Sequence, residues 1–274
     1  MKIGSQFRTD ATAWAVMALS AAGEKSEYLR PYRNSLAVNQ KDNGSIPLSA
    51  NYPEAVWPTP LAILAWKKSQ DFSNPLNKAV DFLLNTSGSH PPKNSSSPAG
   101  HNTALKGWPW ISNTHSWIEP TSLAIIALRI CGHENHKRTQ EAVAMVMDRQ
   151  LPGGGWNYGN TIVYGREIFP MPETTGIAIS ALAGMVHKTE IKRSLDYLLN
   201  YTNKAQTPLT LGWGILGLSA YKMRPNISHK KLLECLNHQK IYGSYDTIAL
   251  SLTILSLYAR EGLIEFYKGS YEIS

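Results

Sequence analysis

Four carboxylates stand at the starts of apolar stretches that read as helices: Asp10, Glu119, Glu173 and Asp246. Three of them lie two residues ahead of a threonine (Thr12, Thr121, Thr175), and Asp246 directly precedes Thr247. A carboxyl at a helix N-terminus can do two kinds of work. As a carboxylate it caps free amides and is stabilised by the helix dipole. As an acid or base it needs its pKa moved towards neutrality by burial or by a second carboxylate, against that dipole. Taken singly, each of the four is a capping group. Chemistry requires that several converge on one cavity. Two facing each other across a cleft at roughly 5–9.5 Å would suit glycoside hydrolysis.

Aromatic residues are the second set with chemical use. Trp57, Trp108, Trp110, Trp117, Trp156 and Tyr245 cluster in segments that precede the same apolar helices. Rings so placed can shield a cation, stack on a sugar, or pack a seam between repeats. Trp14, Trp66 and Trp213 fall inside apolar helices, as core or as cavity wall. The run Cys131-Gly-His133-Glu-Asn-His136 brings metal-ligand types together, but a polar turn after a Gly132 C-cap accounts for it. Cys235 and His238, on an outer helix, read as structural. No metal and no cofactor is assigned.

The elements that carry these residues repeat. Glu119-Pro-Thr-Ser-Leu-Ala-Ile-Ile-Ala-Leu128 starts with a proline suited to the first helical turn, and places Ala124 and Ala127 on one face. Two small residues three apart, then a bulky one, recur at Ala15/Ala18/Leu19, Ala62/Ala65/Trp66 and Ala178/Ala181/Leu182. Looser copies sit at Gly214/Gly217/Leu218 and Thr253/Ser256/Leu257. The spacing, roughly 35 to 60 residues, is that of a helical-pair array. Between the copies lie amphipathic stretches with one apolar stripe, over 31–39, 75–85, 138–149, 190–200 and 229–237. Asn74, Thr189 and Ser228 are the expected N-caps of three of them. Apolar helices inside and one-stripe helices outside, with a sixth outer stub over Leu263–Lys268, close into a double ring. The inner N-termini then gather at one mouth. Loops 86–118 and 151–172 lead straight into Glu119 and Glu173, and are expected to lie over that mouth.

Turns after the outer helices repeat too. Gln40-Lys-Asp-Asn-Gly44-Ser-Ile46, Gln150-Leu-Pro-Gly-Gly154-Gly-Trp156 and Gln239-Lys-Ile-Tyr-Gly243-Ser-Tyr245 share one spacing. The glutamine is expected to satisfy carbonyls at its helix end, the glycine to allow a left-handed turn, and the large residue to plug the seam. These turns and the Pro-Thr-x-x-Ala-x-x-Ala-Leu helices resemble the repeats of squalene–hopene cyclases and protein prenyltransferase β-subunits, from residue 10 to about 258. The resemblance implies an all-α fold, an α/α toroid with an apolar central cavity. It also implies an isoprenoid-type ligand. Cyclases of that superfamily protonate an alkene with the central acid of an Asp-x-Asp-Asp-Thr-Ala motif, the position matched by Asp10, Glu119 and Glu173. The flanking acids are replaced by Arg8 and Ala11, Trp117 and Pro120, and Met171 and Thr174. The prenyltransferase zinc pattern is missing at Cys131 and Cys235.

Bulk composition sets outer bounds. Charged residues make up only 17% of the 274, so much of the chain is buried or lines a cavity. The net charge of +7 is spread over the outer helices as a solvated face, which argues against nucleic acid and leaves contact with an anionic membrane surface open. Residues 1–9 lack a signal-peptide core, and no apolar run is long enough for a bilayer span, which reads as cytoplasmic. The expectation is one toroid domain over 1–274. It binds, and in one reading converts, an apolar isoprenoid-type molecule. A non-catalytic scaffold for a protein partner and a carbohydrate-active (α/α)6 enzyme are the alternatives, and whether the chain is an enzyme stays open.

Overall fold

In a computed structural model, residues 7–92 and 100–269 are described; residues 1–6, the segment 93–99 within the long loop 86–118, and 270–274 lie outside them. The described residues are an all-α structure with one two-stranded hairpin.

Six apolar helices, α1 (Thr9–Ala21), α3 (Thr59–Lys67), α5 (Ile118–Ile130), α7 (Pro172–Leu182), α9 (Pro208–Ala220) and α12 (Thr247–Tyr258), each pack on the next, and α12 packs back on α1. The ring is therefore closed. Nearly every residue of α3, α5 and α7 is buried, as expected of helices apolar all round. Around them stand α2 (Ser26–Val38), α4 (Ser73–Asn85), α6 (Lys137–Asp148), α8 (Lys192–Lys204) and α10 (Ser228–Asn237), each burying one stripe. A one-turn helix, α11 (Gln239–Tyr242), follows α10. The Leu263–Lys268 stub, α13, is not an outer-ring member. It packs on both α5 and α9 and buries Leu263, Ile264, Phe266 and Tyr267, so it plugs the end of the ring opposite the helix starts.

The small-residue pairs set how closely the inner helices approach. A Cβ added at Gly176 would lie 2.5 Å from the Trp213 carbonyl oxygen, and one at Gly217 would lie 2.7 Å from that of Gly176. Here α7 and α9 touch backbone to backbone. Gly176→Ala is therefore expected to cost about 1–3 kcal/mol through overpacking, even though alanine gains up to about 1 kcal/mol in helix propensity. Urea denaturation checks this; an unchanged midpoint would show that the helices can part without cost.

Three arginines, Arg33 and Arg129 buried and Arg224 partly so, complete the far end. Arg33 donates to the Ala65 carbonyl (2.8 Å), Arg129 to that of Ala181 (2.9 Å) and Arg224 to that of Ser256 (2.7 Å). Each acceptor is the second small residue of its triplet, near a helix C-terminus where a cation is favoured.

Several local expectations are corrected. The helix expected over 31–39 starts at Ser26, with Pro31 inside it, because Leu29 and Arg33 are both needed on the buried stripe. The one expected over 190–200 runs instead over Lys192–Lys204. Asn74, Thr189 and Ser228 do not cap: α4 begins at Ser73, and the residues before α8 and α10 are Ile191 and Ile227. Of the repeated glutamines, Gln239 serves its own helix end as expected, donating to the Leu236 carbonyl of α10 (3.2 Å), whereas Gln40 and Gln150 reach the next outer helix. Gln40 donates to the carbonyls of Gly44 (3.0 Å) and Pro75 (2.9 Å), Gln150 donates to the Ser194 hydroxyl (2.6 Å), and Gln239 accepts from the Tyr245 amide (3.0 Å).

Candidate functional site: the mouth of the ring

The threonine in the first turn of three inner helices pins the preceding turn. Thr59 accepts from the Ile46 amide (3.0 Å), Thr121 from that of Trp108 (2.9 Å), and Thr175 from that of Trp156 (3.0 Å). Ile46 and Trp156 are fully buried plugs, and Trp108 is nearly so. This pin fixes the helix starts and the loops before them at one level. The Ile118 amide also donates to the Tyr158 carbonyl, tying the start of α5 to the loop that leads into α7.

Each carboxylate meets a different environment. Asp10 is 1% exposed and held by a bidentate ion pair with Arg8, Nε–Oδ1 3.0 Å and Nη2–Oδ2 2.5 Å. Asp246 caps α12 by accepting the Ala249 amide at 2.8 Å. Glu173 accepts from the Thr210 hydroxyl at the start of α9, and Thr210 in turn accepts from that of Thr207. Glu119 differs: among the described residues no donor reaches its carboxyl. It is half-buried by exposed surface yet closely surrounded by protein. Loss of solvation there raises its pKa from 4.5 to about 7. The helix dipole, which was expected to keep such an acid ionised, is outweighed by burial.

The aromatic set divides. Trp156 is a seam plug, fully buried, with its indole N–H donating to the Val146 carbonyl (2.7 Å). Tyr245 belongs to the α10 seam, where its hydroxyl donates to the Cys235 carbonyl (2.9 Å). Trp57 and Trp110 meet edge to face at 4.9 Å, and Trp117 packs against His115 at 4.4 Å. Trp57 and Trp108 line a pocket of about 130 Å³ between α3 and α5, with Pro60, Leu83, Pro120 and Ala124. In the middle of the ring, Trp14 of α1 meets Trp213 of α9 edge to face at 5.8 Å. Of the three rings expected as core or cavity wall, these two pack on each other across the ring, and Trp66 is fully buried with its indole N–H donating to the Arg33 carbonyl (3.0 Å). His136, from the cluster with ligand types, accepts the Arg138 amide at the start of α6, and Gly132 takes the positive φ of a C-cap.

Two arginines of α6 and its C-terminal turn were not apparent in the sequence. Arg138, 7% exposed, donates to the carbonyls of Thr86 (2.9 Å), Lys106 (3.1 Å) and Gly107 (2.6 Å), and lies 3.8 Å over the Trp108 ring. Arg149 donates to the Ser116 carbonyl (2.6 Å). Together they clamp the long loop onto the start of α5. His101 sits beside Arg149, and burial and that like charge lower its pKa to about 4, so it is neutral. In the second loop, a hairpin of Ile162–Val163 and Arg166–Glu167 turns through Tyr164 at positive φ.

A closed ring of apolar helices inside a ring of amphipathic ones defines an α/α toroid. Among solved structures, ent-copalyl diphosphate synthase from Streptomyces platensis has the similar fold, with a TM-score of 0.59 and 15% identity. The match covers 91% of this chain and 50% of that protein, so the chain spans about half the length of its neighbour. No family model and no curated protein matches the sequence. The likeness establishes the fold; among the described residues no helix is long and apolar enough to cross a membrane.

Proposed function

We propose that the chain is a terpenoid-cyclase-like toroid that binds an apolar, isoprenoid-type molecule at its mouth, with Glu119 as the one acid able to deliver a proton there. The observation that carries this is the unpartnered, closely surrounded Glu119 carboxyl with its pKa near 7, next in sequence to Pro120, which lines the apolar pocket. A group that is about half protonated at neutral pH suits proton transfer better than one fixed as a carboxylate. The pocket, at about 130 Å³, is close to the roughly 150 Å³ that accepts a benzene ring, so it takes one five- or six-carbon branch rather than a whole polyprenyl chain. Trp57 and Trp108 would face such a group with their rings.

A thermal-shift series tests the reading. Geraniol and farnesol are expected to raise the melting temperature, and Trp57→Ala to abolish most of the rise. A linear alcohol of equal length serves as control, and at a hundredfold excess over Kd the stabilisation approaches about 2.7 kcal/mol. Incubation with a polyprenyl diphosphate, followed by mass spectrometry, then reads turnover, which Glu119→Gln removes if the carboxyl is the acid. The packing of Trp14 on Trp213 across the ring favours a second reading, a non-catalytic scaffold for a protein partner. No shift with any prenyl alcohol and no turnover would leave that reading standing and reject the first.

A further inference from the structure

A recess larger than the mouth pocket lies elsewhere in the described structure. A cleft of about 900 Å³ opens at the far end, between the C-termini of α1 and α3 and the plug α13. That volume lies at the upper end of the range for small-molecule sites. Among the described residues its lining is rich in positive charge, Lys25, Arg33, Lys67 and Lys68 beside Glu24, with Lys25 also facing Glu27 at 4.0 Å. Arg33 is 1% exposed; its Nε donates to the Ala65 carbonyl and its Nη1 to the Ser26 hydroxyl (3.0 Å), and among the described residues no carboxylate stands within ion-pair distance of it. The guanidinium is thus held by neutral acceptors, and the opposing charge of Asp71, itself paired with Arg30, acts on it from beyond contact. Lys68 braces the wall by donating to the carbonyls of Phe266 (3.1 Å) and Gly269 (3.2 Å), and its neighbour Lys67 is exposed beside it. Burial, with the like charge of Lys67, lowers the pKa of Lys68, which also lies over the Phe266 ring at 5.2 Å. Ser26 and Ser73, the first residues of α2 and α4, also line the cleft, so two thirteen-residue helices turn their positive ends towards it. Leu76, Tyr258 and Phe266 give it an apolar side.

We propose that this cleft binds a phosphorylated small molecule, with the phosphate against Arg33 and Lys67 and its apolar body along Leu76 and Phe266. The site is separate from the mouth and does not depend on the reading of Glu119. A multiply charged phosphate supplies a counter-charge in direct contact with Arg33, which Asp71 does not, and its oxygens suit the planar guanidinium fork.

Isothermal titration of the whole chain with inorganic pyrophosphate at low salt is the test. Saturable binding is expected, weakening as sodium chloride is raised. Lys67→Glu is expected to lower the affinity about tenfold. Lys188→Glu, an exposed lysine in the turn after α7, makes the same change in net charge and is expected to leave the affinity within about twofold, and Glu119→Gln to leave it unchanged. Equal weakening by Lys67→Glu and Lys188→Glu would mean non-specific attraction and overturn the proposal, as would no heat of binding at millimolar pyrophosphate. Vesicles containing phosphatidic acid separate the two sources of such a phosphate. Pyrophosphate binding without vesicle binding assigns a soluble ligand, and binding of both with the same Lys67 dependence assigns a lipid headgroup.

Discussion

Alanine in place of Arg138 is expected to lower the stability of the protein by about 3–5 kcal/mol. The guanidinium satisfies three backbone carbonyls of the long loop, those of Thr86, Lys106 and Gly107, and covers the face of Trp108. Truncation leaves the largely enclosed Gly107 carbonyl without this donor, opens a gap over the indole, and exposes a seam plug. The salt bridge to Glu141 contributes little, since its atoms are 4.0 Å apart and that carboxylate is partly exposed. Arg138→Lys keeps the charge but cannot reach three acceptors with one ammonium, so most of the loss remains. Urea denaturation gives the magnitude, and limited proteolysis gives the location: new cleavage is expected within 86–107, where the clamp is released. A loss below about 1 kcal/mol with no new cleavage would mean that the loop is held by its other contacts, chiefly the Thr121 pin and the Arg149 bond to Ser116.

That clamp also marks where the sequence stops being readable. The inner helices were legible because a helix buried on all sides must be apolar throughout, and because close approach demands small residues at fixed spacing, as Gly176 and Gly217 show. The closed ring follows from six such helices in a row, and the fold class agrees with the neighbour of known structure. The seam plugs were legible as well, since Ile46 and Trp156 stand six residues after a repeated glutamine and are fully buried. What was lost is what depends on side chains reaching across sequence. Arg33, Arg129, Arg138 and Arg224 lie in or beside stretches where a charge ordinarily faces solvent, and nothing local says that each reaches a carbonyl 31 or more residues away. The four carboxylates show the same boundary. Their positions at helix starts are set by spacing, whereas their fates depend on neighbours: Arg8 for Asp10, the α12 amides for Asp246, Thr210 for Glu173, and no donor for Glu119. Spacing alone made them equivalent, and the local environment separates them.

That difference gives Glu119→Gln a distinct signature in stability against pH. A carboxyl with a pKa of about 7 in the fold and about 4.5 in the unfolded chain holds its proton longer when folded. Between those two values the native state binds more protons than the unfolded state, so the stability of the wild type falls as pH rises from 4.5 to 7 and levels off above. The full drop is bounded by the size of the shift, at most about 3 kcal/mol, and is smaller to the extent that water reaches the carboxyl. Glutamine keeps the shape and stays neutral throughout. The variant is therefore expected to match the wild type near pH 4.5 and to exceed it by up to about 3 kcal/mol at pH 8, an unusual case of a site residue whose removal stabilises the protein. Urea midpoints taken every half unit from pH 4.5 to 8 read this directly, provided each is compared with the wild type at the same pH, because the other groups titrate alike in both. The same measurement on Glu173→Gln controls for the loss of a carboxylate at the mouth; there the Thr210 hydroxyl loses a charged acceptor, and destabilisation is expected. If Glu119→Gln runs parallel to the wild type across the whole range, the carboxyl is solvated, the fold does not hold it protonated, and it has no advantage over the other three as a proton donor.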